Sequence, residues 1–303
     1  MMNGCRTFLN KAFFILVTAI VFYGLANPLQ ASSNINFAGI KQQAVFANAA
    51  YQPENEIQQL SLEQGYTLTL YRNIADIQLG FYLLTNDESK THIVAIRGTS
   101  NIGNAMVDIN FKLVEDDSLN IYLHHGFAYA ARQVYGDLKP VMKKDYSIQT
   151  TGHSLGGAVA VILAALLDKD GFEISGVTTF GQPKVTNFGG AEKFQHLHII
   201  RVVTPKDLVP LVPLFDPLDI NNIDIFWHAG KEIILLAENQ YAVLAGVESM
   251  LRATRFTQQV LTEENLQHHQ MTLYLALLES KLDSAAEVSY ENSFNLFNLF
   301  GSE

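Results

Sequence analysis

Thr151-Gly152-His153-Ser154-Leu155-Gly156-Gly157 decides how the rest of the chain is read. A strand-like run at residues 146–151 leads into it and an apolar helical run at 155–169 leads out of it. A serine between glycines at such a strand-to-helix turn is the setting that a G-x-S-x-G nucleophile elbow requires. The turn is so sharp that Gly152 and Gly156 must lack side chains. The helix that follows offers a positive dipole end and free backbone N–H groups to a developing negative charge. In isolation the same residues read equally well as a glycine-rich turn capped by Ser154, so the flanking strand and helix carry the distinction.

Outward from the elbow the pattern is an alternation. Upstream stand a helix-like segment at 36–51, strand-like runs at 66–72, 77–85 and 92–97 with a turn at 86–90, and a helix at 127–144. Downstream come strands at 174–180 and 198–203. This order predicts an α/β fold: a mostly parallel central sheet with helices on both faces. Runs at 223–228 and 232–236, joined by Ala229-Gly230-Lys231, read as a hairpin, and helices are expected at 241–255 and 264–281. The tail, 284–303, carries Phe294, Leu296, Phe297, Leu299 and Phe300 among polar residues and is expected to pack loosely. With no internal repeat and no linker-like stretch, residues 32–303 read as one domain.

Of the 303 residues 48% are hydrophobic and 17% charged, which is enough apolar material for one large core and excludes bulk disorder. The first 31 residues differ: Arg6 and Lys11 precede an apolar run at 12–26, then Pro28 and the small residues Ala31, Ser32 and Ser33. That is the layout of a secretory signal peptide cleaved after Ala31, with an uncleaved membrane anchor as the alternative. Cys5, the only cysteine, would leave with the signal, so disulfides and thiol chemistry are excluded from the mature chain. Removing Arg6 and Lys11 from 20 basic residues set against 30 acidic ones leaves a net charge of −12. That argues against a nucleic-acid partner and against adsorption to anionic lipid by charge alone.

Four segments in order carry a family resemblance: Ile93-Val94-Ala95-Ile96-Arg97-Gly98-Thr99-Ser100; His124-His125-Gly126-Phe127; residues 151–157; and residues 201–210, Arg-Val-Val-Thr-Pro-Lys-Asp-Leu-Val-Pro. A fifth, His269-Gln270-Met271-Thr272-Leu273-Tyr274, completes the series. Together, from about Ala44 to Leu278, they resemble the class 3, fungal-type lipases of the α/β-hydrolase superfamily. The resemblance implies an exported serine hydrolase that cleaves lipid or other ester substrates through an acyl-enzyme, in transient contact with a lipid surface, with no cofactor and no metal. Alternatives on the same fold are a lipid acyltransferase and an inactive membrane-anchored scaffold.

A serine hydroxyl needs a histidine to take its proton and a carboxylate to orient that histidine, in the chain order serine, acid, histidine. Asp207, in a turn just past the strand at 198–203, fits the acid; Asp216, Asp219 and Asp224 are rivals from the next loop. Of the nine histidines, His196, His198, His228, His268 and His269 follow the serine. His269 is favoured by the resemblance, with Met271 and Tyr274 as apolar partners seating the next helix, and His268 stays open as the alternative. Oxyanion donors are expected from the N–H of Leu155 and, by resemblance, from Thr99. The segment 100–114 should hold a lid, with Asp108 in a structural role, and Ala105 stands where many relatives have tryptophan. Ile102, Met106, Val107, Leu211 and Phe215 are the expected substrate-binding residues.

Overall fold

Leu79–Asn86 and Thr91–Ile96 are buried along nearly their whole length, as strands covered on both faces must be. Their side chains alternate between two cores. Phe81, Leu83, Val94 and Ile96 belong to one, and Tyr82, Leu84, Ile93 and Ala95 to the other. The period of two along a strand therefore builds a three-layer molecule.

The computed structural model describes residues 35–99, 112–213, 225–253 and 262–290. In chain order its elements are α1 (Phe37–Ala49), α2 (Glu54–Glu63), β1 (Thr67–Ile74), β2 (Leu79–Asn86), β3 (Thr91–Ile96), β4 (Leu113–Asp116), β5 (Ile121–His124) and α3 (His125–Leu138). Then follow β6 (Ser147–His153), α4 (Leu155–Lys169), β7 (Glu173–Phe180), β8 (Thr186–Asn187), α5 (Phe188–Lys193), β9 (Ile199–Val203), β10 (Phe226–Trp227), β11 (Lys231–Leu235) and β12 (Gln240–Ala245). The last are α6 (Gly246–Ala253), α7 (Glu263–His268), α8 (Met271–Glu279) and β13 (Ala286–Glu287).

The main sheet runs β1-β2-β3-β6-β7-β9-β11-β12-β13. From β3 to β11 every pairing is parallel, and antiparallel pairs lie toward both edges. Helices α3 and α4 pack on one face, α1 and α8 on the other. This is the expected α/β-hydrolase layout, and it gathers the carboxyl ends of β3, β6, β7 and β9 along one rim of the sheet.

Three expectations need correction. The two strands expected to form a hairpin do not pair with each other: β10 pairs with β8 in a separate sheet, β10-β8-β5-β4, whereas β11 pairs in parallel with β9. Ala229-Gly230 is thus a crossing between sheets, where a Cβ on Gly230 would meet the Ile199 carbonyl oxygen at 2.4 Å. Residues 240–245 are strand rather than helix, because pairing with β11 covers an edge that would otherwise lie open, and the helix begins at Gly246. The single helix expected at 264–281 is two helices broken at His269-Gln270. Helix α2 and strands β4, β5 and β8 carried no periodic signal strong enough to read.

Candidate active site

Ser154 sits between the end of β6 and the first turn of α4 with φ +57° and ψ −130°. Holding a residue with a side chain there costs about 1–3 kcal/mol. Its N–H donates to the Phe180 carbonyl at 2.8 Å, which ties the elbow to β7. The glycine requirement is steric: a Cβ on Gly152 would lie 2.5 Å from the Gly156 backbone, and one on Gly156 would lie 2.2 Å from the Ile96 carbonyl. Ser154 is buried, and its Oγ has no hydrogen-bond partner among the described residues.

Asp207 lies in the turn after β9, its N–H bonded to the Thr204 carbonyl at 3.3 Å. His269 occupies the break between α7 and α8, and its Nδ1 is 2.8 Å from Asp207 Oδ2. The same oxygen accepts the Tyr274 hydroxyl at 2.6 Å, while Oδ1 accepts the Val209 N–H at 2.9 Å. Burial pushes the Asp207 carboxyl up, but His269, Tyr274 and Val209 outweigh it and hold the group below its ordinary range. An ionised Asp207 only accepts, so His269 Nδ1 carries a hydrogen, and in the neutral ring Nε2 is the nitrogen with the free lone pair. Nε2 is buried and, like Ser154 Oγ, has no partner among the described residues. Two unpaired buried polar atoms are costly, about 1–3 kcal/mol each, and a catalytic use is one of the few explanations for keeping them.

The other histidines go elsewhere. His268 points Nδ1 at the Thr204 hydroxyl, 3.2 Å away, and not at Asp207. His228 Nε2 lies 2.6 Å from the Pro210 carbonyl, His196 pairs with Asp168 at 2.9 Å, and His198 is exposed just outside β9. Tyr274, expected only as an apolar partner, instead gives its hydroxyl to Asp207.

Thr99 and Leu155 both line a cleft of about 260 Å³ together with Asp76, Gln78, Arg97 and Gly98. The N–H of Leu155 opens α4, where no intrahelical acceptor exists for it. Leu211 lies in a short turn, buried against Leu208 and Ala253. Ile102, Met106, Val107 and Phe215 fall outside the described residues, as do Asp216, Asp219, Asp224 and the lid segment from 100 to 111.

Residues 93–216 match the family described as Lipase (class 3). A secreted mono- and diacylglycerol lipase of Fusarium solani is 33% identical over 144 residues, 45% of this chain and 43% of the relative. A chloroplastic phospholipase A1 of Arabidopsis thaliana is 26% identical over 146 residues, 43% of this chain and 20% of the relative. The chain thus spans less than half the length of these curated relatives. Among solved structures, lipase II from Rhizopus niveus superposes with a TM-score of 0.59 at 25% identity, covering 68% of this chain and 83% of that one.

Proposed function

From the match of residues 93–216 to the class 3 lipase family, we propose that this protein hydrolyses carboxylic esters of lipids with Ser154 as nucleophile, His269 as base and Asp207 as its orienting carboxylate. The observation that carries the reading is the pair of buried, unpartnered atoms Ser154 Oγ and His269 Nε2, one on a strained elbow and the other clamped by Asp207. His269 Nε2 takes the hydroxyl proton as Oγ bonds to the ester carbonyl carbon, and the carbonyl electron pair moves onto oxygen. The N–H groups of Leu155 and Thr99 receive that oxyanion. Its collapse breaks the bond to the leaving alcohol, which takes the proton from His269. Water then repeats the sequence on the acyl-enzyme and releases the acid.

Acylglycerols and phospholipids are the substrate classes of choice, since the relatives' names cover both. The test is a chain-length and head-group series of esters on purified protein. Ser154→Ala, Asp207→Asn and His269→Ala should each remove most of the hydrolysis with the fold intact, and combining them should cost little more, because such residues act as a unit. An active His269→Ala beside a dead His268→Ala would move the base by one residue. Export rests on the 1–31 signal layout and on the secreted relative. Mass spectrometry of the exported protein should give a chain starting near Ser32; retention of residues 12–26 would make it membrane-anchored.

A further inference from the structure

His269 and the Gly98-Thr99 turn lie far apart in sequence, and one chain of hydrogen bonds joins them through the side chain of His153, the residue that precedes Ser154. The Gly98 N–H donates to the Tyr51 hydroxyl oxygen at 3.1 Å. That hydroxyl lies 2.8 Å from His153 Nδ1, and His153 Nε2 lies 2.7 Å from the backbone carbonyl of His269. Only one assignment of protons satisfies every link. A carbonyl can only accept, so His153 Nε2 carries hydrogen; in a neutral ring Nδ1 then accepts, so Tyr51 donates to it and its oxygen remains free to accept from Gly98. Burial, reinforced by the neighbouring His269, pushes His153 down to about 3, and burial pushes the Tyr51 phenol up, so neither group changes charge near neutrality.

The packing around the chain is equally specific. A Cβ on Gly98 would lie 2.7 Å from the Tyr51 hydroxyl, 2.6 Å from the His153 carbonyl oxygen and 2.9 Å from Ser154 Cβ, so the turn is pressed directly against the elbow. The His153 ring lies against the His269 ring with centroids 4.4 Å apart and an interplanar angle of 35°. Tyr51 itself follows α1 and reaches the site from the N-terminal helix.

We propose that Tyr51 and His153 are positioning residues, a relay that sets the oxyanion turn, the nucleophile elbow and the backbone of His269 in register for catalysis. The proposal rests on the reading of Ser154 and His269 as nucleophile and base. Neither Tyr51 nor His153 exchanges a proton with substrate. Their effect is geometric: they fix the Gly98-Thr99 backbone relative to Leu155 and fix the carbonyl behind the His269 ring. Misplacement of a reacting group by about 1 Å costs on the order of a hundredfold in rate, so partial loosening of this register should appear in turnover before it appears in binding.

The test uses a soluble short-chain ester and full steady-state kinetics on wild type, Tyr51→Phe, His153→Gln, the double variant and Ser154→Ala. Tyr51→Phe keeps the ring and removes the hydroxyl; the glutamine amide still reaches toward the His269 carbonyl but offers no ring acceptor to Tyr51. The expected result is a fall in kcat of about tenfold or more in each single variant with KM within about twofold, and a double variant no worse than about the poorer single, since both break one chain. Thermal midpoints of the single variants should fall by a few degrees, because each leaves buried polar groups unpaired, while both stay fully folded at the assay temperature. Tyr51→Phe with wild-type kcat, a loss carried wholly by KM, or a loss in both single variants that is no larger than their unfolded fraction at the assay temperature would each overturn the relay. An active Ser154→Ala would instead overturn the nucleophile assignment, so the two failures are distinct.

Discussion

Asp207 Oδ2 receives two donors, the His269 ring and the Tyr274 hydroxyl, and the balance between them and burial keeps the carboxylate charged. Tyr274→Phe removes one charge-assisted hydrogen bond, worth about 1.5–3 kcal/mol, without opening a cavity. Because the folded carboxyl is held low, its stabilising contribution is present above its unfolded value and is lost as pH falls through its folded one. The variant raises the folded value, so both activity and stability should start to fall at a higher pH than in wild type, with activity near neutrality largely kept. Superimposable pH–rate profiles would show that Tyr274 does not tune Asp207. At this scale the sequence reading reached the serine, acid and histidine because the chemistry restricts residue type and chain order. It missed the Tyr274 hydroxyl and the Tyr51–His153 contact because each depends on the direction in which a ring points from its helix or turn, and no spacing encodes that.

Glu232 on β11 is fully buried and faces two guanidinium groups, Arg252 on α6 at 2.7 Å and Arg201 on β9 at 3.9 Å. The shorter contact is a hydrogen-bonded ion pair; the longer one has no hydrogen bond, and Arg201 is held instead by the Ala229 carbonyl at 3.0 Å and the Ser249 hydroxyl at 2.9 Å. Glu232→Gln leaves two buried cations without a countercharge, which should cost about 3–5 kcal/mol. Urea unfolding would read that loss directly, and a change below about 1 kcal/mol would remove the ion pair from the account of this region. Arg252 also donates to the Thr204 carbonyl at 3.0 Å, at the turn that carries Asp207, so the elements that brace the acid are the ones this variant loosens. They are also the ones hardest to read in advance. Helix α4 matches its expected span because an unbroken apolar run after the elbow has one solution, whereas β12 follows from its neighbour's open edge and the α7–α8 break from the place His269 occupies. Local periodicity contains neither fact.

The order of the main-sheet strands and their helices from β1 to β9 was legible because alternation of this length leaves few topologies, and the small second sheet was not, since β4 and β5 are four residues each and β8 is two. What the whole molecule adds is a set of neutral, buried histidines. Burial pushes His124 down to about 4 and His153 down to about 3, and it holds His92 and His228 below the ordinary range as well. Between those depressed values and about 6.5, where an unfolded histidine titrates, the unfolded chain binds protons that the folded chain refuses. Stability must therefore rise with pH through this window and fall on acidification, by about 1.4 kcal/mol per pH unit for each group involved. With His124 and His153 alone the slope between about pH 4 and 6 should reach about 2.7 kcal/mol per unit, before any carboxylate such as Asp207 contributes at lower pH. His124 offers a clean test, because its Nδ1 also caps α3 by accepting the Phe127 N–H at 3.4 Å. His124→Asn keeps a capping acceptor and removes the titration. Urea midpoints measured from pH 7.5 to 4 should fall steeply for wild type and less steeply for the variant, the two slopes differing by about one proton. Parallel curves would mean that His124 protonates in the folded protein as easily as in the unfolded chain, and that its ring is not held neutral by the core.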